Sequence, residues 1–300
     1  MNFIEFNKQF STEEKVINYF IKIRYNNKVK CNHCGSDKVY KYSSNKKNKF
    51  FRCGACNRDF SIFKDTIFEK TSTNLVKWMY AIHLFLNSKK GISGYQLQRE
   101  IGVTYKTAWR MLKQIRKAMN SNNKEYFNAI VEIDETYIGG KPRKKNNHKD
   151  NDDDDHNKRG RGTKKKAVVG VVDRDNKRVY AKVATTNKQG QKLSGNQLLS
   201  ILNEICKQDN TIITDEFKSY NILKKTNYIH LKIDHTKNYA DGDIHTNNIE
   251  SFWATLKRGI YGIYHNVSSK YLQNYINEFC FRYNNRNGNS FDLILKQAVL

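Results

Sequence analysis

The chain is 300 residues long and carries 54 lysines and arginines against 29 aspartates and glutamates, a net charge of +25 at pH 7. So large a positive excess attracts polyanions and makes their binding steeply salt-dependent, which points to DNA or RNA as the partner. There is no apolar run of about 18 residues and no cationic amphipathic terminus with an aromatic face, so neither a membrane nor a small-molecule substrate is expected.

The first 30 residues lack the charged, apolar, small-residue order of a signal peptide, so the expected location is intracellular and DNA-associated, not secreted. Six cysteines in such a chain read as metal ligands or buried thiols rather than disulfides. The length allows two or three domains.

In chain order, the first pattern is Cys31-Asn-His-Cys34 and Cys53-Gly-Ala-Cys56, with 18 residues between the two pairs and short strand-like runs at Val39–Tyr42 and Phe50–Arg52. The spacing predicts a zinc ribbon, in which two knuckles complete a closed tetrahedral site for one structural Zn2+. A redox pair, or His33 in place of one thiolate, are the alternatives. Cys206 and Cys280 stand alone in apolar helical contexts and read as small buried hydrophobes.

Next, Thr73 is the expected cap of a helix whose residues Leu75, Trp78, Met79, Ile82, Phe85 and Leu86 recur at helical spacing. A second helix runs from Ser93 to Ile101 and stops at Gly102, and a third starts at Thr104 and buries Ala108, Leu112, Ile115 and Met119. Helix, short turn with glycine, helix is the signature of a helix-turn-helix module. Its third helix then presents Tyr105, Lys106, Thr107, Arg110, Lys113 and Gln114 to DNA; a plain helical linker with a solvated basic face is the alternative.

From Ala129 the pattern changes to strands at 130–137, 167–173 and 179–185, a helix at 193–206, a strand at 211–214, a helix at 217–224, a strand at 228–233, and helices from Asn247 and Ser268. Three strands followed by alternating helices and strands is the order of an RNase H-like α/β fold with a mixed sheet. The charged segment 141–166, with acids at Asp152–Asp155 and bases from Lys158 to Lys166, is too polar to pack and reads as a solvated loop.

Asp134 lies in the first of these strands, Asp215 closes the strand at 211–214, and Glu250 follows 35 positions later on a helix. Three such acids at one sheet edge suit two hard divalent cations roughly 3.5–4 Å apart, the arrangement that activates a nucleophile and neutralises a leaving oxygen in phosphodiester chemistry. On the same helix Lys257, seven residues after Glu250, and Arg258 are placed for DNA phosphates. Asn247 is the reserve for the third ligand, and an Asn247–Glu250 capping box is the structural alternative for that pair. His235, His245 and His265 flank the site in sequence and read as structural imidazoles.

Asp134-Glu-Thr-Tyr-Ile-Gly-Gly-Lys141, Gly160-Arg-Gly-Thr-Lys-Lys-Lys166, Thr214-Asp215 with Tyr220, and His245-Thr-Asn-Asn-Ile-Glu-Ser-Phe-Trp253 through Gly259 resemble the ISXO-type insertion-sequence transposases. The resemblance implies an RNase H-like DDE domain that uses Mg2+ or Mn2+ to nick transposon ends and join their 3′-hydroxyls to target DNA. It carries Asp134 and Asp215 over as metal ligands, with Glu250 or Asn247 as the third. Double-stranded DNA, as transposon ends and target, is the implied partner of a homo-oligomer. The expected division is 1–65 for the N-terminal segment and zinc ribbon, 66–124 for the helix-turn-helix, 125–288 for the DDE domain and 289–300 for a C-terminal tail. A DNA-binding regulator with a silent catalytic domain is the competing expectation.

Overall fold

A computed structural model of the chain describes residues 2–41, 49–120, 126–128, 130–139, 165–184, 193–233 and 245–299. Most of the charged segment 141–166, and His235, lie outside these residues. The chain divides into two compact units, Met1–Ser121 with Asn285–Leu300, and Asn122–Asn284.

The first unit opens with helices α1 (Phe3–Gln9) and α2 (Glu13–Tyr25). Strands β1 (Val39–Lys41), β2 (Phe50–Cys53) and β3 (Asp59–Ser61) then form a small antiparallel sheet. Helices α3 (Leu75–Asn87), α4 (Gly94–Ile101) and α5 (Tyr105–Ala118) follow. Ser93 and Thr104 cap the last two through their hydroxyls, and Gly102 closes α4 in the left-handed region at φ 58°. Glycine fits there because a Cβ is penalised. The α3 cap is Asn74 rather than Thr73: its side-chain oxygen accepts from the Val76 amide at 2.8 Å, a reach open only to the residue directly before the first turn.

Residues 289–300 are not a loose tail. They form α9 (Ser290–Val299), which buries Phe291, Ile294, Leu295, Ala298 and Val299 in the first unit. The Phe10 and Phe291 rings lie 5.8 Å apart, and the Tyr19 hydroxyl donates to Asp292 at 3.1 Å. Nor does the core break at residue 65, because Phe20 packs on Phe68 at 4.8 Å and Phe68 on Trp78 at 5.3 Å. Ribbon and helices share one aromatic core, since neither has enough apolar surface to bury alone.

The second unit is built on a five-stranded mixed sheet of order β6-β5-β4-β7-β8. Its strands are β4 (Ile130–Ile138), β5 (Lys166–Asp173), β6 (Arg178–Val183), β7 (Thr211–Thr214) and β8 (Ile229–Lys232). The central strand β4 runs antiparallel to β5 and parallel to β7. Helix α6 (Gly195–Asn203) links β6 to β7. The segment Lys218–Lys225, expected as an α-helix, is a 3-10 helix, and α7 (Asn247–Gly259), a π-turn at Ile260–Tyr264 and α8 (Leu272–Asn284) complete the unit.

Alternation along β4 sets the two faces. Val131 and Ile133 join Leu198 and Leu202 on the α6 side, whereas Ile138 joins Ile249, Trp253 and Phe279 on the α7 and α8 side. Gly170, paired with Asp134 across β4 and β5, lets α7 lie flat on the sheet. A Cβ there would sit 2.5 Å from the Trp253 ring and 2.7 Å from Ile249. Gly170→Ala is therefore expected to lower the unfolding free energy by roughly 1–3 kcal/mol, the cost of overpacking a filled core, as read by denaturant unfolding; an unchanged midpoint would show that α7 lies less tightly on the sheet.

Candidate functional site

The four cysteines converge. Cys31 and Cys56 sulfurs are 3.7 Å apart, Cys34 and Cys53 sulfurs 3.6 Å, and all four ligand atoms lie within 4.8 Å of one another. A tetrahedron of sulfurs about 2.3 Å from a centre has edges of about 3.8 Å, so the donor set fits zinc. The His33 amide approaches the Cys31 sulfur at 3.4 Å, and the Cys56 amide, followed by that of Ala55, draws the Cys53 thiol down to about 6. Such N–H···S contacts favour thiolate over thiol. His33 is exposed and is not a member of the set, so four sulfurs are the donors.

Asp134 sits at the middle of β4 on the α7 face. Its carboxylate accepts from the Trp253 indole N–H at 3.1 Å. Burial first, then the negative charges of Glu135, Asp215 and Glu250, push its carboxyl up to about 7. The fold therefore gathers all three sequence-picked acids into one electrostatic neighbourhood. Asp215 follows β7, and its carboxylate accepts from the Phe217 amide at 3.0 Å. Glu250, exposed in the first turn of α7, accepts from the Thr246 hydroxyl at 2.9 Å.

That last bond stands in place of the Asn247–Glu250 capping box, the structural alternative for the pair. The residue before α7 is Thr246, Asn247 is already helical and exposed, and its amide faces the His245 ring at 3.4 Å. Among the described residues the four cysteines are the only set of three or more such donors within 4.8 Å of each other, so the three carboxylates are spaced more widely. Mutual repulsion favours that spacing, and two cations roughly 3.5–4 Å apart bridge more than one ion could. A buried carboxyl ringed by like charges is the donor chemistry that a hard cation relieves.

Lys257 and Arg258 are exposed in the last turn of α7. On α5, Tyr105 and Lys106 are exposed, while three other residues expected to face DNA are engaged at home: the Thr107 amide in the Thr104 cap, Arg110 on the Glu69 carbonyl at 3.3 Å, and Lys113 over the Trp109 ring at 5.3 Å. Gln114 is half-buried. Tyr95, which the sequence reading passed over, is exposed and stacks on Tyr105 with ring centroids 4.5 Å apart. His245 is half-buried beside Arg174, and His265 is exposed with a positive φ of 59°.

Also unforeseen were Glu132 and Glu135, which flank Asp134 on the same strand. Glu132 is fully buried and accepts from Arg174, the Asn248 side chain and the amides of Asn248 and Ile249; Glu135 accepts from Tyr220. The period-2 alternation of β4 held the clue, since it puts Glu132 on the inward face among apolar residues, where an acid needs a partner.

No helix among the described residues is long and apolar enough to cross a membrane. Residues 127–284 match the family model of the ISXO2-like transposase domain, and residues 11–59 match that of a transposase zinc-ribbon domain. An uncharacterized protein in transposable element ISH50 of Halobacterium salinarum is 28% identical over 283 residues, covering 92% of each chain. An uncharacterized transposase-like protein of Haemophilus influenzae is 32% identical over 102 residues, 34% of this chain and 82% of that one. The Mos1 strand transfer complex is similar at 15% identity and a TM-score of 0.26, covering 69% of this chain and 76% of that one, a likeness too slight to bear on fold or function. With more than half its length matched by the family's catalytic domain and the zinc ribbon matched ahead of it, the chain belongs to the ISXO2-like transposase family.

Proposed function

We propose that the protein binds transposon ends as double-stranded DNA, cleaves a phosphodiester there, and transfers the freed 3′-hydroxyl to target DNA, acting as a homo-oligomer inside the cell. The catalytic domain is read as RNase H-like, with Asp134, Asp215 and Glu250 as ligands of Mg2+ or Mn2+ and Asn247 in reserve. The observation that carries this reading is the state of Asp134: half-buried, and held up to about 7 by burial and by three neighbouring acids. A site that concentrates negative charge in this way favours a cation beside Asp134, which would draw its carboxyl into the ionised form.

When bound, the divalent ions would polarise the scissile phosphate and lower the pKa of the attacking water or hydroxyl. The chain's residues do the rest. Asp134 gives up its proton to become a ligand while the Trp253 indole fixes one of its oxygens. Lys257 and Arg258, exposed further along the helix that bears Glu250, are read as contacts to backbone phosphates. In the first unit, α4 and α5 are read as a helix-turn-helix, with the exposed Tyr105 and Lys106 at its outer face and Thr107, Arg110 and Lys113 reaching DNA only on release from their present contacts. The net charge of +25 supplies the long-range attraction.

The test uses purified protein and duplexes taken from the DNA on either side of its coding region. With Mg2+ the expected products are nicked ends and end-to-target joints, and none with chelator. Specific binding of those duplexes without any cleavage in Mg2+ or Mn2+ would instead favour a DNA-binding regulator.

A further inference from the structure

The three acids of β4 divide their labour. Only Asp134 lies among the proposed metal ligands. Glu132, two residues before it on the same face, is 0% exposed and has four donors around it: Arg174 Nε at 2.7 Å, Asn248 Nδ2 at 2.7 Å, and the backbone amides of Asn248 and Ile249 at 3.0 Å each, with His245 Nδ1 3.4 Å away. Arg174 also donates to the His245 carbonyl, tying the chain two residues before the helix to the same carboxylate. The free amides of the first turn of α7 are thus satisfied by an acid on the sheet instead of a cap from the helix's own sequence, since Thr246 makes no side-chain cap. This fixes the start of α7, and with it Glu250, against β4.

Glu135 performs the matching task on the opposite face. It accepts from the Tyr220 hydroxyl at 3.0 Å, and Tyr220 is 1% exposed in the 3-10 helix directly after Asp215. Phe217, whose amide holds the Asp215 carboxylate, packs edge-on against the Tyr220 ring at 5.7 Å. The Tyr220–Glu135 bond therefore ties the turn carrying Asp215 to the strand carrying Asp134.

We infer that Glu132 and Glu135 are positioning residues, which hold the elements bearing Glu250 and Asp215 against β4 and so set the spacing of the three carboxylates. The inference rests on the transposase reading given above. A merely structural acid at either position would affect stability alone; a positioning acid also sets metal affinity in a chain that remains folded.

Mn2+ titration of the full chain, followed by electron paramagnetic resonance, separates these cases for wild type, Asp134→Asn, Glu132→Gln and Tyr220→Phe. Glu132→Gln keeps the shape but loses the charge facing Arg174, and Tyr220→Phe removes one hydroxyl. Each is expected to weaken Mn2+ binding roughly 10–100-fold, the usual effect of removing an outer support of a metal site. Binding of plain duplex DNA and the far-UV spectrum should stay as in wild type, and hydrogen exchange at the Asn248 and Ile249 amides should quicken in Glu132→Gln. Should Glu132→Gln fail to fold, Tyr220→Phe carries the test. Wild-type Mn2+ affinity in the folded variants, with Asp134→Asn still impaired, overturns the positioning roles alone. Affinity indifferent to Asp134→Asn overturns both these roles and the catalytic reading beneath them.

Discussion

On the proposed function, Asp134→Asn is expected to abolish strand transfer and, in the same protein kept in chelator at pH 8, to raise the melting temperature. Loss of activity by roughly three orders of magnitude or more is expected for removal of a central catalytic carboxylate. The gain in stability follows from linkage. Below about pH 4 the carboxyl is protonated in both folded and unfolded chains. Between there and about 7 the unfolded chain ionises while the folded one keeps its proton, so the folded state binds more protons and stability falls as pH rises. Above 7 the loss is complete and levels off.

Holding a carboxyl up at about 7 costs the ionised folded chain at most about 4 kcal/mol, which the neutral, isosteric Asn avoids. A rise on the order of 5 °C is therefore expected at pH 8 and almost none at pH 4, measured by calorimetry. Saturating Mn2+ should reverse the order, because the cation stabilises only the chain that retains Asp134. Equal melting temperatures at both pH values would mean that Asp134 is not strained by its neighbours. On the expected outcome the fold carries a destabilised carboxylate for its chemistry, a trade often met at active sites.

The second large effect concerns zinc. The ribbon's strands are 3, 4 and 3 residues long, too short to hold a hairpin in water without further support. Beside a zinc bound by the four sulfurs, its support is the buried Phe51–Phe60 pair and Phe63 and Phe68, which join the aromatic core of the first unit. Cys53→Ser, replacing a fully buried sulfur, should release the ion and cost several kcal/mol, enough to lower the unit's melting temperature on the order of 10 °C. Metal analysis should find one zinc per wild-type chain and none in the variant. A variant that melts with wild type would show that the aromatic core supports the ribbon unaided.

Much of this was legible in the chain, and the reasons are local. Cys-x-x-Cys pairs announce themselves by spacing, Ser93, Thr104 and Gly102 mark helix ends through cap chemistry, and the alternation of Val131, Ile133 and Tyr137 marks a strand. The positions of Asp134, Asp215 and Glu250 followed from element order and from resemblance to a family, and the three do share one charged neighbourhood.

What escaped was set by tertiary context. Residues 290–299 look like an unremarkable end until Phe291 meets Phe10 and His83. The end of α7 could be read as an Asn247 cap only because nothing in the local sequence reveals that Glu132, more than a hundred residues earlier, satisfies those amides. Likewise Trp253 reads as one more apolar position on a helical stripe, although its indole N–H holds the Asp134 carboxylate.

The most direct test of the central claim is anomalous diffraction from crystals soaked in Mn2+. The account predicts two peaks, roughly 3.5–4 Å apart, among the carboxylates of Asp134, Asp215 and Glu250. Ordered Mn2+ bound elsewhere, with those three side chains left without a peak, would contradict it.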